Sequence, residues 1–208
     1  MSDRPRLAVT MGEPAGIGPD VCLDLVQRTD SARLTLVGDP DVLWQRAIDL
    51  GRPVDIRQVG AEGAPVDAKV GVLHVYPVPV AVPVRAGRLD VSNGGHVLSV
   101  LSAAAQGCMD HRFDALVTAP VHKGVINQSG RPFSGHTEFL AELCGDVMPV
   151  MMLAAPCLRV ALVTTHLPLK AVPEAITEDR LVRVIRILAH DLKTWFGCPH
   201  PRILVCGL

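Results

Sequence analysis

Short apolar runs recur along the chain at 6–11 (RLAVTM), 34–38 (LTLVG), 71–76 (GVLHVY), 115–120 (ALVTAP), 149–155 (PVMMLAA), 158–165 (LRVALVTT) and 202–207 (RILVCG), with longer segments between them. Most are continuously apolar rather than alternating, as expected for strands buried on both faces. The pattern therefore predicts an α/β chain with a largely parallel sheet covered by helices. The clearest helix runs from Glu178 to about Phe196, where Leu181, Val184, Ile185, Leu188, Leu192 and Trp195 recur at spacings of three and four. Helix starts are marked at Pro19, which suits a first helical position, at Asn93 before an apolar-periodic stretch, and at Thr177 with Glu178 and Asp179 behind it. Residues 77–92 carry Pro77, Pro79 and Pro83, which excludes a central strand and predicts a loop or an edge.

A new helix after the 115–120 strand places a lobe boundary at Asn127, giving a first α/β lobe over 1–126 and the beginning of a second, incomplete one over 127–208. The chain stops on the 202–207 run with no turn or polar tail behind it, and a connection from that strand's carboxyl end is expected to be missing.

Composition narrows the classes. With 208 residues and 49% hydrophobic content the chain can fill a sizeable core. Twenty Lys and Arg against 21 Asp and Glu leave no electrostatic footprint for a nucleic-acid backbone, and one Tyr, two Trp and four Phe offer few stacking platforms. The N-terminus has no apolar signal region, and the longest apolar stretch, 147–158, is too short to span a bilayer and contains two prolines. A cytoplasmic protein with no nucleic-acid or membrane partner is expected. The six cysteines form no C-x-x-C pair and read as reduced, buried thiols.

Three segments concentrate chemistry. The first, TMGEPAGIGPD at 10–20, is a Gly-rich turn between a strand and a helix, suited either to close approach of an anion or cofactor or to a tight connection. It matches neither the Walker loop nor the dinucleotide fingerprint, and Glu13 and Asp20 read as solvated or capping acids. The second, 118–139, gathers His122, Lys123, Asn127, Arg131, His136 and Thr137 in one polar loop. Thr137 at the cap of the following helix and His136 beside it would place an imidazole against the positive end of a helix, where a phosphate binds well. The plain alternative is a cap and a surface histidine. In the third, VALVTTHLPL at 160–169, His166 follows a strand expected to be buried and reads either as structure or as one metal ligand, no second ligand standing near it in sequence. His74, His96, His111, His190 and His200 read as structural or surface residues.

Taken in order, GEPAGIGPD (12–20), NGG (93–95), TAPVHKGVIN (118–127), FSGHTEFLAE (133–142), MML (151–153) and VALVTTHLPL (160–169) closely resemble the 4-hydroxythreonine-4-phosphate dehydrogenase family of vitamin B6 biosynthesis. The resemblance runs the whole length of the chain. It implies an isocitrate/isopropylmalate dehydrogenase-like α/β/α fold in two lobes that homodimerises, with the C-terminal part absent. It also implies a substrate site at His136 and Thr137, and His166 as one ligand of a divalent metal (zinc, magnesium or cobalt) at the dimer interface. The implied reaction is oxidation of 4-phosphooxy-L-threonine by NAD or NADP followed by decarboxylation. A phosphorylated sugar acid, threonate or erythronate 4-phosphate, is the sibling substrate, and an inactive phosphate-binding fragment the remaining reading.

Overall fold

A computed structural model describes residues 4–27, 32–64 and 69–206. They form two compact units, Met1–Val147 and Met148–Leu208.

The first unit is built on five strands: β1 (Arg6–Thr10), β2 (Arg33–Gly38), β3 (Asp55–Gln58), β4 (Val72–Pro77) and β5 (Ala115–Thr118). They form one sheet in the order β3-β4-β2-β1-β5, and every pairing is parallel, as the continuous apolar runs predict. Successive residues on each strand serve opposite faces. Val9, Leu36, Leu73 and Val75 pack with helices α1 (Gly18–Leu23) and α2 (Pro40–Asp49) through Cys22, Leu23, Leu43 and Ala47. Ala8 and Val37 pack on the other face with Val100 and Ala104 of α3 (Gly94–Met109). A third cluster joins α3 to α4 (Lys123–Gln128) and α5 (His136–Leu143) through Val97, Leu98, Leu101, Ile126 and Phe133, with Phe139 against it. That packing moves the compact boundary beyond the position expected at 126/127: residues 123–143 are held by α3 and belong to the first unit.

Edge strand β3 was not expected. Its DIRQ sequence lacks an apolar run because an edge strand needs only one buried side, here Ile56. The proline-bearing segment after β4 is irregular, as expected, with an isolated bridge between Arg85 and Arg88.

The second unit contains an antiparallel hairpin of β6 (Met152–Ala155) and β7 (Leu158–Ala161), then α6 (Val172–Ala175) and α7 (Glu178–Thr194). Helix α7 starts as its sequence predicts, with the Thr177 hydroxyl accepting from Arg180 N–H at 3.2 Å. The hairpin corrects the expectation of buried strands here, since Leu153, Leu158 and Val160 are exposed. The expected strand at 202–207 is also corrected. Residues 202–206 are irregular and pair with no strand among the described residues, and Gly207 lies outside them. Of the six cysteines, all free, Cys22 is buried while Cys144, Cys157 and Cys206 are exposed, so only part of the buried-thiol expectation holds. No helix among the described residues is long and apolar enough to cross a membrane.

Candidate functional site

The sheet order makes β1 the point of divergence. The chain leaves β1 through α1 toward β2 on one side, whereas β5, reached through α3, lies on the other. Loops leaving the carboxyl ends of two such neighbours part from each other, and the crevice between them is where open α/β sheets bind ligands. The two loops here are residues 11–17 and 119–122, the Gly-rich turn and the start of the polar loop.

Glycine shapes the first loop. Gly12 has φ 74°, and a Cβ there would overlap the Pro120 carbonyl oxygen, while one at Gly18 would overlap the Met11 carbonyl oxygen. The close approaches are thus to the protein's own backbone, as a tight connection requires. Glu13 N–H donates to Pro120 O at 2.9 Å and joins the loops. Contrary to expectation, the Glu13 side chain is only 4% exposed. Its Oε1 accepts from Ala15 N–H at 3.2 Å, and its Oε2 has no partner among the described residues. Burial pushes the carboxyl above its ordinary range, with the Ala15 N–H and the His122 imidazole acting in the opposite direction. Asp20 instead pairs with Arg46 at 2.7 Å.

The second loop divides its polar residues by task. His122 caps α4, its Nδ1 accepting from Val125 N–H at 3.2 Å, which leaves the neutral ring's proton on Nε2. Asn127 closes the turn that follows: its Oδ1 accepts from Phe133 N–H at 2.8 Å, and its Nδ2 donates to Phe133 O and Lys123 O at 3.0 and 2.9 Å. Phe133 is thereby fixed in the core, edge-on to the His136 ring with centroids 5.9 Å apart.

Helix α5 begins at His136, with Gly135 as its N-cap and no side chain capping it. Thr137 is therefore the second helical residue and not the cap expected from the sequence, because the extended backbone of Gly135 already carries the chain into the helix. Lys123 reaches the same place: a side-chain carbon on Gly135 would lie 3.4 Å from Lys123 Nζ and 3.0 Å from Glu138 Oε2. His136 Nε2 is buried and has no partner among the described residues. Burial, and then the Lys123 ammonium, lower the His136 pKa, so its imidazole is neutral at neutral pH. N–H groups with no side-chain cap, a neutral imidazole and the Lys123 ammonium meet at this helix entrance beside the Glu138 carboxylate, and the N–H groups, imidazole and ammonium are donors able to hold an oxyanion. Arg131 is exposed on the turn.

His166 belongs to the second unit. It is exposed, between β7 and the Leu169–Ala171 turn, with φ 57°. The left-handed conformation costs a non-glycine residue about 1 kcal/mol and is concentrated at functional positions. Among the described residues no group of three or more His, Cys, Asp or Glu could hold a metal ion, so His166 contributes a single imidazole and no metal centre is assembled.

Three further polar side chains, two of them on the helix that carries NGG, act on the segment after β4. Asp39 accepts from Val80 N–H at 2.8 Å while capping α2. Asn93 accepts from Ala81 and Val82 N–H, both at 3.0 Å, and donates to Val82 O at 3.1 Å. His96 Nδ1–H donates to Pro79 O at 3.1 Å, its Nε2 buried with no partner among the described residues. Asn93 was expected as a helix start, and it does precede α3, but its side chain serves this strap instead of the helix. The available signal was a buried-pattern helix starting on two polar residues three apart.

A family model described as pyridoxal phosphate biosynthetic protein PdxA matches residues 30–208. The chain is 54% identical over 209 residues to the 4-hydroxythreonine-4-phosphate dehydrogenase of Ectopseudomonas mendocina (strain ymp), covering all of this chain and 62% of that protein. It is 53% identical over 204 residues to the protein of the same name from Pseudomonas aeruginosa PAO1, covering 98% of this chain and 62% of the relative. The crystal structure of a 4-hydroxythreonine-4-phosphate dehydrogenase from Burkholderia phymatum superposes with a TM-score of 0.86 at 29% identity, over 98% of this chain and 62% of that one. The chain thus spans 62% of the length of these relatives. Parallel sheet, divergent β1 and β5 loops and the family match agree, and the chain belongs to the family of the pyridoxal phosphate biosynthetic protein PdxA.

Proposed function

We propose that this chain is the substrate-phosphate-binding part of an NAD(P)-dependent, divalent-metal-assisted dehydrogenase of 4-phosphooxy-L-threonine, acting in the cytoplasm as a homodimer in pyridoxal 5'-phosphate biosynthesis. The C3 hydroxyl is oxidised, a hydride passing to the nicotinamide and a proton being released. The product, 2-amino-3-oxo-4-phosphooxybutanoate, loses carbon dioxide to give 3-amino-2-oxopropyl phosphate. The observation that carries the reading is the entrance of α5, where the His136 Nε2, without a partner among the described residues, and the Lys123 ammonium meet a first turn that no side chain caps and that includes Thr137.

In this reading His136, Thr137 and the α5 N–H groups hold the phosphate, Lys123 balances its charge, and the reacting carbon is positioned by its fixed distance from that anchor. Bound nicotinamide supplies the hydride acceptor. No described residue is assigned to it, since the backbone around Gly12 and Gly18 is taken up by contacts within the protein. His166 is proposed as one metal ligand. One imidazole does not hold a divalent cation, so the described residues do not complete that site.

A phosphate anchor serves a phosphorylated sugar acid equally well, and threonate or erythronate 4-phosphate is the second reading. Steady-state turnover of the full-length protein carrying this sequence separates the two. Preferred oxidation of 4-phosphooxy-L-threonine is expected, and preference for the sugar acid overturns the assignment. Metal-dependent NAD(P) reduction by the 208-residue chain alone would overturn the view that it is one part of the enzyme.

A further inference from the structure

A second concavity opens in the first unit, and no residue of 119–139 lines it. It has a volume of about 670 Å³ and is walled by α2, by the strap after β4 and by Pro14 of the β1 loop. The strap wall is fixed from behind: Asp39 accepts from Val80 N–H, Asn93 accepts from Ala81 and Val82 N–H, and His96 donates to Pro79 O. With those N–H groups already used, this wall meets a ligand with the apolar surfaces of Pro79, Val80, Val82 and Pro83.

The helix wall has a different character. Asp41 and Trp44 stand three residues apart on α2 and so share a face. Trp44 is 55% exposed, and neither its indole N–H nor the Asp41 carboxylate has a partner among the described residues. Asp39 and Asp49 add two carboxylates to the lining, whereas the lining cation, Arg46, is paired at 2.7 Å with Asp20, which lies outside the lining. The cavity therefore carries net negative charge. A phosphorylated substrate or the pyrophosphate of a nicotinamide cofactor is repelled there, so the proposed reaction does not account for it.

We propose that this cavity is a docking site for an arginine side chain of a partner protein, its guanidinium stacked on Trp44 and paired with Asp41, the apolar neighbours of that arginine lying against the strap. A guanidinium answers both features of the helix wall at once, being flat enough to cover an indole face while its fork offers two donors to a carboxylate; an ammonium does not stack. The cavity is larger than one arginine side chain fills, and an arginine alone would leave the apolar strap wall in water, which is why its neighbours belong to the ligand. The proposal is independent of the phosphate reading of the α5 entrance.

The probe is the blocked peptide acetyl-Val-Arg-Val-amide, titrated into the 208-residue chain carrying Trp195→Phe, which leaves Trp44 as the sole indole. Trp195 and Asp41 are both exposed, so neither Trp195→Phe nor Asp41→Asn disturbs the core. A saturable change in Trp44 fluorescence is expected, with a dissociation constant below about 1 mM. The citrulline peptide, which keeps the shape without the charge, is expected to bind about tenfold more weakly, as is the arginine peptide to Asp41→Asn. Agmatine, a guanidinium on a bare stem, should also bind more weakly than the peptide. The amide resonances of Val80 and Val82, followed in the same titration, give a readout that does not depend on the indole. No saturable change in either signal overturns the proposal. Equal binding of the citrulline peptide, or unchanged binding by Asp41→Asn, overturns it by leaving apolar contact alone, and agmatine binding as tightly as the peptide overturns it in favour of a free small molecule.

Discussion

His136 illustrates how the environment sets a side chain's chemistry. An exposed imidazole would titrate near its ordinary value of 6.5, but burial and the nearby Lys123 charge lower it, and its Nε2 has no partner among the described residues. The ring therefore acts as a neutral hydrogen-bonding group, with positive charge supplied by Lys123 and the helix end. In the full-length protein, His136→Ala is expected to weaken binding of 4-phosphooxy-L-threonine by roughly ten- to a hundredfold, the 1.5–3 kcal/mol of a hydrogen bond to a charged group. Binding of 4-hydroxy-L-threonine should barely change. Calorimetric titration of both ligands checks this, and equal losses would remove the phosphate role. Gly12 is a second case. Gly12→Ala forces a left-handed alanine onto the Pro120 carbonyl and is expected to cost at least about 2 kcal/mol in urea unfolding.

Between elements, the strap after β4 depends on side chains from two helices. Asn93 makes three hydrogen bonds to residues 81 and 82, so Asn93→Ala is expected to cost about 2–3 kcal/mol in urea unfolding, leaving two N–H groups unpaired. Ser99 bonds Gly95 O on the exposed side of the same helix, and Ser99→Ala should stay within about 0.5 kcal/mol. His96 adds a pH dependence. Its pKa is lowered chiefly by burial, against the Pro79 hydrogen bond and the Asp39 charge, so below 6.5 the unfolded chain binds a proton that the folded chain resists. His136 acts in the same direction. The stability of neutral, buried rings is complete above pH 6.5 and falls as pH drops toward the lowered folded values. His96→Gln, which can still donate to Pro79 O but has no proton to gain, should show a smaller loss of melting temperature on acidification through pH 6.5. An unchanged pH profile would take His96 out of this account.

At the scale of the chain, the two units differ in what holds each together. All three buried clusters lie in the first, whereas the second buries Val184 and Leu192 and leaves Leu153, Leu158, Leu169 and Trp195 exposed. Residues 1–147 produced alone are expected to unfold in one cooperative thermal transition, and residues 148–208 alone to show none, calorimetry being the check. The parallel sheet and its two helical layers were legible in the continuous apolar runs, because a strand covered on both faces has no polar side to show. So was the start of α7, since Thr177, Glu178 and Asp179 act within one turn. The 118–139 segment was legible as a candidate site because it concentrates His122, Lys123, Arg131 and His136 within a short stretch of chain. What could not be read were relations that need the fold to close. Apolar character at 152–161 and 202–206 indicates a preference for burial but names no partner, so neither the exposed hairpin nor the irregular tail followed from it. Glu13 became a buried acid only when the order β3-β4-β2-β1-β5 set the β1 loop beside the β5 loop. Asn93 and His96 became strap anchors only when the chain after β4 crossed their helix. Local interactions act between neighbours in the chain and can be read along it. A hydrogen bond or a desolvated charge between distant residues exists only once packing has brought them together and removed the water.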